Sequence, residues 1–338
     1  MKGTMKTMKK NIFLLVASAA LLASCGTGSA VATAPTDKAV ATPEQSEAVL
    51  KKASESLADV DGVAVELGVD ASVKATLPGA ALGLEKDLNE SISLNNLSLK
   101  GAAGVKDGKL VEAASFSGGF SASLDLPKAG KEAIEIEHKD ISAGLSAQEF
   151  LADDKVYLDG TGLFDGVQKI AEIAALFGAN VESLPQKAED MKGYIALEDG
   201  TCAKAATSFT QYVPMLPTLI TSIIPEGVEL HSFSDGSIGV SLTLEQVLEF
   251  VATIQGEGAE IPSWALEGLD GKLVITIAEN GSLAAYYDVK GTVEVPVMQG
   301  INLTVEIESK ASASVKFGKV NVDSVPNPDS FNPLIIKK

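Results

Sequence analysis

The sequence predicts an α+β fold dominated by a large antiparallel sheet with one dry and one wet face. Three observations predict it: long segments of strict apolar–polar alternation, turn dipeptides between them, and a few capped stretches of helical period. The clearest segment is Val63 to Leu77, VAVELGVDASVKATL. Val63, Val65, Leu67, Val69, Ala71, Val73, Ala75 and Leu77 are apolar, with Glu66, Asp70, Ser72, Lys74 and Thr76 between them. A period of two sends one set to a dry face and the other to water. At about 3.3 Å per residue such a strand spans roughly 50 Å, far beyond the usual five or six residues. An antiparallel sheet can keep one face in solvent, as this alternation requires.

The chain begins with a targeting segment. Lys2, Lys6, Lys9 and Lys10 form a positive region, and the apolar run from Ile12 to Leu22 is too short to span a bilayer. It ends in Leu22-Ala23-Ser24-Cys25. This resembles the lipobox of bacterial lipoproteins: an aliphatic residue, two small ones, then the cysteine that receives the lipid. The resemblance implies that 1–24 is a signal peptide cleaved before Cys25. It implies a diacylglyceryl group on the Cys25 sulfur and an acylated amine, such as a palmitate. Several acyl chains anchor far better than one. The expected location is the cell envelope, lipid-anchored on the outer face of the plasma membrane or at the outer membrane. Residues 25–41, rich in Gly, Ser, Ala, Thr and Pro, read as a flexible tether.

The domain is expected over 42–328. Thr42-Pro43-Glu44-Gln45 carries a capping-box pattern with proline at the first helical position, and Val49, Ala53, Leu57 and Val60 form one apolar stripe. After the first long strand, a second runs from about Ser91 to Val105, and its alternation slips at Asn95-Asn96, the mark of a bulge. Asp107-Gly108 is a hairpin turn. The return strand sets Ala114, Phe116, Phe120, Ala122, Leu124 and Leu126 against Ser115, Ser117, Ser121, Ser123 and Asp125. Another strand starts at Ile134, and Asp153-Asp154 turns into Val156-Tyr157-Leu158. Val167, Ile170, Ala174 and Phe177 have helical spacing, closed by Gly178, and Tyr194–Leu197 is a short strand. Ala205 to Pro225 carries no charge; Pro214, Pro217 and Pro225 interrupt it, so a kinked helical pair is expected and not a membrane span. Strands then flank Asp235-Gly236, and Thr243 and Gln246 form a second capping box before Val247, Leu248, Val251 and Ile254. Asn280-Gly281 joins the strand at Leu273–Ile277 to one beginning at Leu283. The strand from Ile301 to Phe317 should bury Val305 and Ile307 and turn Thr304, Glu306 and Glu308 to water. A proline-rich segment, Val325-Pro326-Asn327-Pro328, leads to a tail over 329–338.

Composition excludes several function classes. The net charge is −18, and because 1–24 holds four lysines and no acid, the chain from Cys25 onward carries −22. Such a chain repels nucleic acid, and it contains no arginine, the residue best suited to bidentate phosphate recognition. With Cys25 lipidated, Cys202 is left without a disulfide partner and reads as a small buried residue. There is no His-Glu-x-x-His, Gly-x-Ser-x-Gly or Cys-x-x-Cys. His138 and His231, the two histidines, read as structural. Gly160-Thr161-Gly162 with Gly166 misses the dinucleotide spacing by one residue, and Asp59-Val60-Asp61-Gly62 lacks the later ligands of a calcium loop. No cofactor, no metal and no enzymatic activity is expected.

In all, about eleven strands are expected, joined by hairpins or through helices. Asp235-Gly236, running through Leu242 into Thr243-Leu244-Glu245-Gln246, and the two long C-terminal strands ending at Val325-Pro326 sharpen this order. It is similar to the LolA-like and LppX-like lipoprotein folds. The resemblance implies an incompletely closed antiparallel β-barrel whose concave face is covered by helices. It also implies a lipid or acyl chain held between sheet and helices. Phe209, Tyr212, Met215, Leu216, Leu219 and Ile223 are the candidate ligand or lid contacts. The competing expectation is a non-catalytic structural or protein-interaction module whose apolar residues simply fill a core.

Overall fold

The computed structural model describes residues 31–57, 60–129, 134–176, 184–212, 229–247, 268–298 and 301–334. The described chain forms one 12-stranded antiparallel sheet in the order β1-β8-β9-β10-β11-β12-β2-β3-β4-β5-β6-β7. Its strands are β1 (Asp37–Val40), β2 (Gly62–Leu77), β3 (Leu88–Lys106), β4 (Lys109–Ala129), β5 (Ile134–Ala152), β6 (Lys155–Asp159), β7 (Lys192–Ala196), β8 (His231–Phe233), β9 (Ile238–Thr243), β10 (Leu269–Ile277), β11 (Leu283–Met298) and β12 (Ile301–Gly318). Two meanders, β2–β7 and β8–β12, are joined where β12 pairs with β2. β1 and β7 lie at opposite ends of the order, so the sheet stays open. It is accompanied by α1 (Pro43–Ser56), α2 (Phe164–Leu176) and α3 (Thr201–Tyr212), and 244–247 are helical as well.

The long strands follow the alternation. β2 spans 16 residues and β4 spans 21, about 50 to 70 Å at the usual rise. Val73 lies opposite both Ile307 of β12 and Ile92 of β3, and Ile92 lies opposite Ala122. The apolar sets therefore share one face across β12–β2–β3–β4. The expected bulge occurs between Asn95 and Ser98, where Asn96 has φ 49 and its N–H donates to Asp70 at 2.5 Å. The turns form as their residues require, with φ of 51 and 73 at Asp107 and Gly108, and of 49 and 55 at Asp153 and Asp154. Both capping boxes are present: Thr42 Oγ1 accepts from Gln45 N–H, Thr243 Oγ1 from Gln246 N–H, and each glutamine side chain returns the bond.

Three features differ from expectation, and the parity of β5 is a fourth that the alternation did not announce. Of the stretch read as a tether, residues 31–36 run over the sheet and β1 pairs with β8. Val305 and Ile307 are half-buried, whereas Glu306 and Glu308 are exposed as expected; Thr304 donates to Glu294 at 2.8 Å. In β5 the apolar parity switches, because Ile136 pairs with Pro127 while Ile141 pairs with Ala122 on the other face. The C-terminal segment is part of the structure. Val320 lies over Gly62, Val322 over Gly104, and residues around Pro333 run parallel to β7, with Asn332 O accepting from Tyr194 N–H.

Among the described residues, clusters of buried side chains form on each face. On the apolar face Phe120, Ile141 and Ala143 pack with Leu145 and with Ile173 of α2. On the hydrophilic face Phe150, Tyr157 and Phe331 pack with Ala113, Tyr194 and Val325.

Candidate functional site

The apolar face is where the sequence places a ligand, and α2 packs on it through Ile173. Asp159, at the end of β6, accepts from Thr161 N–H and Oγ1 and turns the chain toward α2. α2 approaches β5 closely: a Cβ on Gly166 would stand 2.2 Å from Leu145 Cδ2, so only glycine fits there without displacement. Lys169 donates to Ser142 O at 2.7 Å, on a part of β5 that pairs with β4 but lies outside the stretch paired with β6. α3 is fixed at its N-terminus by Asp154, whose carboxylate accepts from Gly200 N–H and Cys202 N–H. Those two backbone bonds hold the Asp154 pKa below the ordinary value. α3 then packs against β4, with Cys202 and Ala206 buried.

Of the candidate contacts, Phe209 is half-buried on α3, and Tyr212 is its last residue. Met215, Leu216, Leu219 and Ile223 lie outside the described residues, as does Cys25. The free thiol of Cys202 is buried, and burial raises its pKa, so it is a packed side chain and not an activated nucleophile.

Beyond α2 the apolar face is open. Val73 is 44% exposed, Ile92 49% and Leu94 38%. Val73 and Ile92 are cross-strand partners, and Leu94 lies opposite Phe120 of the α2-covered cluster. Exposed and buried apolar residues are thus continuous over β2, β3 and β4.

The apolar face also carries a pair of carboxyls that the sequence reading did not connect. Glu112 alternates with Ala113, which belongs to the cluster on the other face, and Glu149 lies opposite Ala114. The two glutamates are therefore diagonal neighbours. Burial raises the pKa of both, and Glu149 raises Glu112 further. Glu112 is half-buried whereas Glu149 keeps solvent contact, so the effect rests mainly on Glu112. Only strand register reveals such a pair; their separation of 37 residues gives no signal.

Among the described residues, clefts of about 430 and 710 Å³ that share Asp270 and Lys290 lie on the hydrophilic face. Val31–Ala34, Tyr286, Lys272 and Lys310 line the smaller. Ser72, Lys74, Ser91, Ser93 and Thr292 are among those lining the larger. Charges alternate across the strands, Lys272–Asp288–Lys310 in one row and Asp270–Lys290–Glu308 in the next. Lys310 donates to Glu308 at 2.9 Å, which lowers the Glu308 pKa and raises that of Lys310. The volumes suit a small ligand, but the lining is charged and hydroxylated where an acyl chain needs apolar walls.

Both histidines have carboxylate partners. His138 Nδ1 is 2.9 Å from Asp125 Oδ1, and His231 Nδ1 is 2.9 Å from Asp37 Oδ1. Bonding to Asp125 raises the His138 pKa and lowers that of Asp125. Among the described residues no group of three or more His, Cys, Asp or Glu could hold a metal ion, and no helix is long and apolar enough to cross a membrane.

No family model and no curated protein matches the chain. Solved structures aligned with it include three containing the secretin InvG of the Salmonella SPI-1 type III secretion injectisome. Each aligns over 80% of this chain at 9% identity, covering 68%, 66% and 48% of the other chain, with TM-scores of 0.11, 0.10 and 0.11. Alignments at that TM-score carry no argument about fold or function.

Proposed function

We propose that this chain is a lipid-anchored extracytoplasmic protein of the LolA-like kind, which binds an acyl chain or other apolar ligand on the apolar face of its sheet without turning it over. The observation that carries the reading is the open apolar stretch of Val73, Ile92 and Leu94, continuous with Phe120 and the cluster under α2. Contiguous apolar surface of this sort marks an interaction site more often than a scatter of single residues does. α2 and α3 serve as covers at one side of the ligand, and Phe209 and Tyr212 contribute contacts. The lipobox Leu22-Ala23-Ser24-Cys25 supports the anchor and the envelope location.

The test uses a Cys25→Ala protein without its signal segment, delipidated and offered a bacterial membrane extract. Native mass spectrometry should then show a bound species of phospholipid or fatty-acid mass. A spectrum of bare protein at every extract concentration contradicts the reading.

A second reading is favoured by the clefts. They lie on the hydrophilic face with charged linings, which suits a module that meets polar partners and keeps its apolar face as a core. Bare protein in the same experiment supports it.

A further inference from the structure

We infer that the hydrophilic face of the sheet, with its two clefts, is the face turned to the membrane and lies against the lipid headgroups. The inference rests on the reading of Cys25 as the lipid anchor and adds an orientation to it.

The first ground is chain length. The segment from Val31 to Thr36 crosses the hydrophilic face and leaves it at the turn between β8 and β9. Ala32 N–H donates to Ser312 Oγ at 3.0 Å, and Thr36 N–H donates to Ser234 Oγ at 3.0 Å. Val31 crosses directly over Gly68, where a Cβ would stand 3.4 Å from Val31 Cα. Six peptide steps separate Cys25 from Val31, and a fully extended chain covers about 20 Å in six steps. Gly68 sits near the middle of β2, six residues from Gly62 and nine from Leu77. The way off the face along β2 is thus roughly 20 Å at the near end and 30 Å at the far end. At the near end Val320 and Val322 also lie over Gly62 and Gly104, which lengthens the path. Sideways, β7 is five strands away along the sheet, and the six steps from Val31 to Asp37 bring the chain to the β1 edge. The Cys25 sulfur, six steps from Val31, therefore has a reach that ends on the hydrophilic side or at its rim. A short anchor of this kind holds the sheet close to the bilayer with its hydrophilic side inward.

The second ground is charge. The residues lining the two clefts include four lysines (Lys74, Lys272, Lys290 and Lys310) and four carboxylates. The cleft lining is neutral in a chain that carries −22 from Cys25 onward, so the excess negative charge lies outside the clefts. An anionic bilayer repels those other surfaces and leaves this one free to approach. The lysine ammonium groups then meet lipid phosphates, and the row of Ser72, Ser91 and Ser93 meets polar headgroup atoms.

The partner is the headgroup layer of the membrane that carries the anchor, and fluorescence quenching tests it. Full-length lipidated protein with Cys202→Ala is placed in vesicles of phosphatidylethanolamine and phosphatidylglycerol doped with a headgroup-quencher lipid. One variant carries a fluorophore at Ser93→Cys on the hydrophilic face. The other carries it at Ile170→Cys, exposed on the helix that covers the apolar face. The Ser93 label should be quenched several-fold more than the Ile170 label. Equal quenching, or stronger quenching at Ile170, overturns the orientation. Lys272→Glu with Lys290→Glu takes the cleft lining from neutral to −4 and should weaken the Ser93 quenching; unchanged quenching overturns the headgroup contact. Failure of the anchor is seen separately, because unanchored protein stays in the supernatant when the vesicles are sedimented.

Discussion

Phe120 and Phe331 are nearly equally buried, at 5% and 4% exposure, yet they stand on opposite faces of one sheet and are covered in different ways. Phe120 lies on the face that alternation marks as dry, and a mid-chain helix closes over it through Ile173. Phe331 belongs to a terminal segment that crosses the wet face and fills the space beside Phe150 and Tyr157. The difference teaches that a period of two identifies the side a strand prefers to bury, but not how far along its length it is buried. On the dry face, Val73, Ile92 and Leu94 remain exposed; on the wet face, the end near β6 and β7 is dry.

The largest expected effects break one cluster at a time. Phe120→Ala and Phe331→Ala should each cost about 3–5 kcal/mol, read from urea unfolding midpoints. If Phe331→Ala is near neutral, the terminal segment is a loose overlay and not part of the fold. Next comes Val305→Asp, which sets a charge among the apolar side chains of β12. It should cost about 1–3 kcal/mol, held down by the half-burial of Val305. Glu306→Lys, its neighbour on the exposed side, should lie within about 0.5 kcal/mol of wild type. The opposite ranking in thermal melts would mean that the register of β12 against β2 is inverted.

A smaller effect separates the faces by pH. Burial raises the Glu112 pKa, so the folded state holds that proton more tightly than the unfolded chain does. Its contribution to stability therefore falls as pH rises through the ordinary carboxylate range and up to the raised value. Glu112→Gln should melt higher than wild type at pH 7, with the difference shrinking toward pH 4. On the other face the sign reverses. Asp125, lowered by its bond to His138, stabilises above the ordinary carboxylate value and loses that contribution as pH falls through its lowered one. A Glu112→Gln protein no more stable than wild type at pH 7 would show that water reaches this carboxyl.

Much of this architecture is legible in the sequence because local rules govern it. The long strands, the bulge at Asn95-Asn96, the turns at Asp107-Gly108 and Asp153-Asp154 and both capping boxes need only neighbouring residues. What was not legible depends on pairings distant in sequence. β1 is four residues in a stretch whose composition reads as a tether, and only β8 makes it a strand. Glu112 and Glu149 become neighbours through the β4–β5 register. The terminal segment looks like a proline-rich tail until Tyr194, Gly193 and Phe150 give it a surface. Of the candidate ligand contacts, Phe209 and Tyr212 fall on α3, which starts four residues before the uncharged run that first marked it.

The central claim, that the open apolar stretch is a ligand site, is tested most directly by substitutions on adjacent residues of the same two strands. Ile92→Glu with Val73→Glu places charges on the apolar face, and Ser93→Glu with Lys74→Glu places them on the hydrophilic face. Titration of each soluble domain with a fluorescent fatty acid gives the answer. Binding should be lost in the first pair and kept in the second, with both proteins folded by circular dichroism. Binding that survives Ile92→Glu with Val73→Glu would contradict it.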